Sequence, residues 1–111
     1  MSMQSEELAE RIRAVLGLRP DIEEKRMFGG VAFMLNGHMM VGPLKGGELL
    51  ARCGKEQYAD ALQRPGAGPM TFTGREMAGF VQVSGDGIET DEALADWIAY
   101  SERFVRTLPP K

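Results

Sequence analysis

Apolar positions change period several times along the chain, and each change marks an element. Leu8, Ile12, Val15 and Leu16 recur at the spacing of an amphipathic helix. Ser5 stands where it would cap that helix ahead of Glu6 and Glu7, whose charges suit a helix N-terminus. Gly17 supplies a stop, and Pro20 keeps the helix from resuming. From Glu23 to Phe28 the chain is charged and then apolar. After Gly29-Gly30 come the apolar run Val31 to Leu35, the dipeptide Asn36-Gly37, and a second run, His38 to Val41. Asn-Gly between two apolar runs predicts a hairpin, because a type I′ turn needs positive φ at both central residues.

A further strand, Glu48 to Cys53, is predicted after the turn-forming Lys45-Gly46-Gly47 and extends an antiparallel meander. Lys55 to Leu62 reads as a short helix with Tyr58, Ala61 and Leu62 on one side, ending before a loop from Pro65 to Pro69. Two short strands, Met70 to Phe72 and Phe80 to Val83, flank the turn Thr73-Gly74-Arg75-Glu76. Thr90 caps a final helix that carries Asp91 and Glu92 in its first turn and the core stripe Leu94, Trp97, Ile98, Phe104 and Val105. The tail from Leu108 to Lys111 is expected to fray. Strands flanked by helices without regular βαβ alternation predict an α+β fold. It has an antiparallel β-sheet of about five or six strands with flanking helices, in two layers, as one domain over residues 1–111.

A two-residue turn at Asn36-Gly37 sets the register, so that Leu35 faces His38, Met34 faces Met39 and Phe33 faces Met40. One sheet face then carries Val31, Phe33, Leu35 and Met40, and the other carries Ala32, Met34, Met39 and Val41. Both are apolar, whereas a sheet with one wet side alternates apolar with polar residues. Either helices of the same chain cover both sides, or Ala32, Met34, Met39 and Val41 form a homodimer or partner surface.

Composition narrows the function classes. At 111 residues and 43% hydrophobic content the chain supports one core. A net charge of −3 and a pI near 5.2 have the wrong sign for holding nucleic acid through its phosphates, so direct nucleic-acid binding is disfavoured. The single Cys53 excludes an internal disulfide, and Met1 to Leu18 is charge-punctuated rather than a signal sequence, so a cytoplasmic location is the default expectation. No segment reaches the roughly 18 apolar residues of a membrane span.

Each candidate chemistry has a plainer explanation beside it. His38 is the only histidine, and no acid or nucleophile is placed near it by the sequence. Cys53 precedes Gly54 and Lys55, a cation that could lower a thiol pKa, but it also ends an apolar strand, where an inert buried cysteine is ordinary. His38-Met39-Met40 suggests copper(I), yet strand alternation sends Met39 and Met40 to opposite faces. Gly29-Gly30 lacks the rest of a phosphate loop and leads into a strand. Arg75 with Glu76 forms either an exposed turn with a structural ion pair or an anion-binding point. No catalytic, cofactor-binding or metal-binding residues are assigned, and no cofactor is expected.

Several motifs in order carry a family resemblance. Met27 to Phe33, Asn36-Gly37-His38-Met39, Phe72 to Met77 and Gly79-Phe80-Val81 together resemble the N-terminal domain family of the TfoX/Sxy competence regulators. The Trp97 helix and the tail Leu108-Pro109-Pro110-Lys111 look like those of small stand-alone members, and the resemblance spans Ser5 to Lys111. It implies an α+β fold similar to secretion-chaperone-like architecture. The competence regulators carry a further C-terminal domain for which this sequence has no residues, and Glu76 stands where the family pattern leads one to expect proline. The family supplies no catalytic residues to carry over.

The resemblance and the two apolar hairpin faces lead to the expectation of a non-enzymatic regulatory or adaptor domain. It would act through protein–protein contacts with a partner the sequence does not name, or with a second copy. The alternative is a small-ligand or enzymatic site near the Thr73 to Met77 turn, drawing on Arg75, Glu76, Tyr58 and His38.

Overall fold

The computed structural model describes residues 3–17, 19–27, 30–44, 46–72 and 74–110. Along these the chain forms α1 (Met3–Leu16), β1 (Ile22–Met27), β2 (Gly30–Leu35), β3 (His38–Pro43), β4 (Leu49–Arg52), α2 (Tyr58–Leu62), β5 (Ala67–Phe72), β6 (Arg75–Val83), a 3₁₀ turn (Gly85–Ile88) and α3 (Asp91–Val105). The six strands make one antiparallel sheet in the order β1-β2-β3-β4-β6-β5. The α+β architecture read from the sequence is therefore present. No described helix is long and apolar enough to cross a membrane.

Local chemistry explains most element boundaries. Asn36 and Gly37 take φ of 53° and 86°, the pair of positive values that a type I′ turn requires, and the hairpin closes there with Leu35 opposite His38 and Met34 opposite Met39. Gly17, at φ 65°, ends α1 with its N–H donating to the Arg13 carbonyl at 2.8 Å. The Thr90 hydroxyl accepts from the Ala93 N–H at 3.0 Å and caps α3 as expected. Ser5, by contrast, lies inside α1 and is 3% exposed, so it does not cap the helix.

Three strands escape the simple reading. β6 begins at Arg75 rather than Phe80, so Arg75 to Met77, expected in the turn, belong to the strand that pairs with β5. β1 is an edge strand of mostly charged residues, Glu23 to Arg26, a composition that discourages pairing with another chain. β5 begins at Ala67, inside the segment expected to be a loop, and continues through Pro69. Its place at the opposite edge of the sheet makes that proline tolerable, since one side of the strand has no ladder to break.

The hairpin register departs from the prediction at the third pair. Phe33 pairs with Val41, not Met40, so Met40 is the extra residue of a β-bulge. A bulge lets two consecutive side chains leave the strand on one side, and Met40 and Val41 both enter the core at 0% exposure. Val41 is therefore removed from the second face, to which unbroken alternation had assigned it.

That core joins Phe33, Leu35, Val41, Leu49 and Val81 of the sheet to Leu8 and Ile12 of α1, Ala61 of α2, and Leu94 and Ile98 of α3. All three helices consequently cover the same face, giving two layers. On the second face Ala32, Met34 and Leu50 stand outside this cluster, yet are only 1%, 7% and 8% exposed. Gly42 sits opposite Ala32 there. A Cβ at Gly42 would meet the Val31 carbonyl oxygen at 2.9 Å and the Met39 methyl at 3.9 Å, so strand and side chains close over that position.

The tail does not simply fray. The His38 Nε2–H donates to the Pro109 carbonyl at 2.6 Å, which holds the end of the chain against the hairpin.

Candidate functional site

The last two turns of α3 separate two groups of charged side chains. On one side, Arg19 donates to Glu102 at 2.8 Å and to Asp21 at 2.9 Å, while Arg106 reaches Glu102 at 2.7 Å and Asp21 at 3.0 Å. These four residues clamp the segment before β1 onto α3. Hydrogen bonds from Arg19 first, and from Arg106 second, hold the Asp21 carboxyl well below the usual range, at about 2, and lower that of Glu102 as well.

On the other side lies an open groove of about 780 Å³. Its geometry begins with glycine. At the end of β4, Cys53 and Gly54 donate their N–H groups to the Gly79 carbonyl of β6 at 2.8 and 3.0 Å. Gly54 and Gly79 both have positive φ, 82° and 91°. A Cβ on Gly54 would lie 2.4 Å from the Phe104 ring, and one on Gly79 would lie 3.3 Å from the Lys55 nitrogen. Glycine at both positions lets backbone and ring approach closely and fixes the wall of the groove.

Arg52 is the centre of this wall. It pairs with Phe80 across β4 and β6, and its guanidinium carbon lies 5.4 Å from the Phe80 ring centroid and 5.8 Å from that of Phe104. Two aromatic faces thus orient one cation without neutralising it. Lys55, from the turn before α2, and Arg103 of α3 also line the groove, where Glu56 supplies the single carboxylate among the described residues. None of Arg52, Lys55 and Arg103 has an ion-pair partner among the described residues. A surplus of positive charge therefore gathers at one place on a chain whose net charge is −3.

The residues singled out from sequence are distributed differently. Ala32 and Met34 are buried, Met39 is half-buried, and Val41 is in the core. Arg75 is exposed at the start of β6, next to Gly74. The side chain of Glu76, residue Thr73 and the Phe28-Gly29 pair lie outside the described residues. His38 and Arg75 stand on strands separated by β4, and neither they nor Tyr58 line the large groove. Among the described residues, His38, Tyr58 and Arg75 are not brought together at this groove.

Cys53 is buried, its thiol donates to the Gly79 carbonyl at 3.4 Å, and burial pushes its pKa up, away from the reactive thiolate. Among the described residues no three His, Cys, Asp or Glu side chains are placed to hold a metal ion.

Sequence reasoning missed the groove because its residues come from β4, the turn before α2, β6 and α3. The faint signals in the sequence are Lys55, a cation close behind Cys53, and Gly79-Phe80, which belongs to one of the ordered motifs.

No curated protein matches this chain. The model of the TfoX N-terminal domain matches residues 14–105, a span that holds Arg52, Lys55, Phe80, Arg103 and Phe104 as well as Arg19, Asp21 and Glu102. With that match across most of its length, the chain belongs to the TfoX N-terminal domain family.

Proposed function

We propose that this competence-regulator-like domain is a non-enzymatic regulatory or adaptor module that acts through protein–protein contacts. The observation that carries the reading is Arg52, held between Phe80 and Phe104 with no carboxylate partner among the described residues. Arginine and aromatic side chains dominate the binding energy of protein interfaces, and here the fold brings them together along one groove.

The second sheet face supports this role less well. Ala32, Met34 and Leu50 are already less than a tenth exposed, so a partner laid on them, whether another protein or a second copy, would remove little further apolar area from water.

Affinity capture with the full chain, in parallel with light scattering of the purified protein, tests the proposal. Reproducible recovery of a defined protein that rebinds the purified chain, or a stable dimer, is the expected result. A monomer that recovers nothing beyond itself over repeated captures would overturn it.

A further inference from the structure

We infer that the Arg52 groove is a docking site for an acidic peptide segment of a partner protein, one that presents carboxylate side chains beside an aromatic or large aliphatic residue. The inference rests on the protein-contact reading above and gives the partner a chemistry.

Three properties of the groove select this occupant. The first is charge: among the described residues Arg52, Lys55 and Arg103 face Glu56 alone, and the chain elsewhere carries enough acid to bring its total to −3. A carboxylate arriving here meets local attraction, while a long polyanion such as nucleic acid is repelled by the rest of the molecule. Glu56 at the rim also opposes a dense row of phosphates.

The second is the form of the cation. Contact with the Phe80 and Phe104 rings restricts the Arg52 guanidinium, so its planar edge can donate two parallel N–H···O bonds to a carboxylate at a reduced entropic cost. The same rings leave apolar surface beside the charge, where a hydrophobic side chain next to the carboxylate can pack.

The third is shape. The groove lies open between the end of β4, the middle of β6 and the end of α3, whereas small-molecule sites enclose most of their ligand's surface. An extended segment can run along such a groove and contribute side chains in succession.

Fluorescence anisotropy with labelled peptides on the full chain tests this. The probes are Glu-Phe-Asp-Glu-Phe-Asp, the same peptide with alanine for phenylalanine, its lysine counterpart, and a short oligothymidylate. Saturable binding of the acidic aromatic peptide is expected, stronger than that of the other three. Arg52→Gln should weaken it at least about tenfold, and raising salt from about 50 to about 300 mM should weaken it further. Lys55→Gln and Arg103→Gln, at exposed side chains, should each weaken it less.

These two variants preserve the test if Arg52→Gln fails to fold, which a far-ultraviolet circular dichroism melt would reveal. The inference is overturned if the acidic peptide does not bind, if none of the three substitutions weakens it, or if oligothymidylate binds more tightly through the same residues. Were the peptide to fail while a captured partner still bound Arg52→Gln, protein contact would stand and the groove assignment alone would fall.

Discussion

The two charged clusters beside the end of α3 use the same residue types to opposite ends. Arg19 and Arg106 share Asp21 and Glu102, so every charge in that cluster is answered within the chain. Arg52, Lys55 and Arg103 line one groove with two aromatic rings and, among the described residues, a single glutamate, and no ion pair there answers their charge. Neighbouring α3 residues, Glu102 and Arg103, belong to different clusters. An arginine's role is thus decided by whether the fold brings a carboxylate to it.

The largest effect should come from the groove wall, because it is built from backbone as well as side chains. Gly54→Ala places a Cβ at positive φ and against the Phe104 ring, and should cost about 2–4 kcal/mol in urea unfolding. Combining it with Phe104→Ala removes the clash, so the double variant should be more stable than the sum of the singles predicts, by about 1 kcal/mol or more. Strict additivity would mean that the ring and Gly54 do not bear on each other.

Second in size is the paired cluster. Glu102 is one-fifth exposed and bonds both arginines, so Glu102→Gln should cost about 1 kcal/mol, read as a fall in Tm of about 4–8 °C. No change would show that the four charges contribute no more than a solvated surface does, and would erase the distinction from the groove.

Acid gives the paired cluster a signature of its own. The Asp21 carboxyl is lowered from 3.8 to about 2 in the folded chain, so its contribution is fully present above its unfolded value and is lost as pH falls from about 4 towards about 2. The stability difference between the wild type and Asp21→Asn, measured by urea titration, should therefore be constant near neutrality and shrink through that window. A difference that persists unchanged at pH 2 would place its origin elsewhere than in the carboxylate.

Legibility in the sequence followed the same division between local and assembled features. The turn at Asn36-Gly37, the Gly17 stop and the Thr90 cap each depend on two or three adjacent residues, and all three were readable. β1 was hidden because an edge strand carries charge where a central strand would alternate, and Pro69 concealed the first half of β5, whose second half, Met70 to Phe72, was readable. The bulge at Met40 left no local mark, and it alone moved Val41 from one face to the other. The groove was least legible, since β4 and β6 are neighbours in space but have α2 and β5 between them in sequence.

The smallest expected effect tests the comparison most directly. Lys55 and Arg103 are exposed and lack carboxylate partners among the described residues, so the double substitution Lys55→Gln with Arg103→Gln should alter stability by less than about 0.5 kcal/mol. Relief of repulsion around Arg52 would make the sign favourable at low salt, and added salt should bring variant and wild type together. A loss as large as that of Glu102→Gln would mean that these cations are committed to the fold after all. A near-zero change, with peptide binding weakened, would show a surface that can lose its charge without loss of stability and keeps it for a partner.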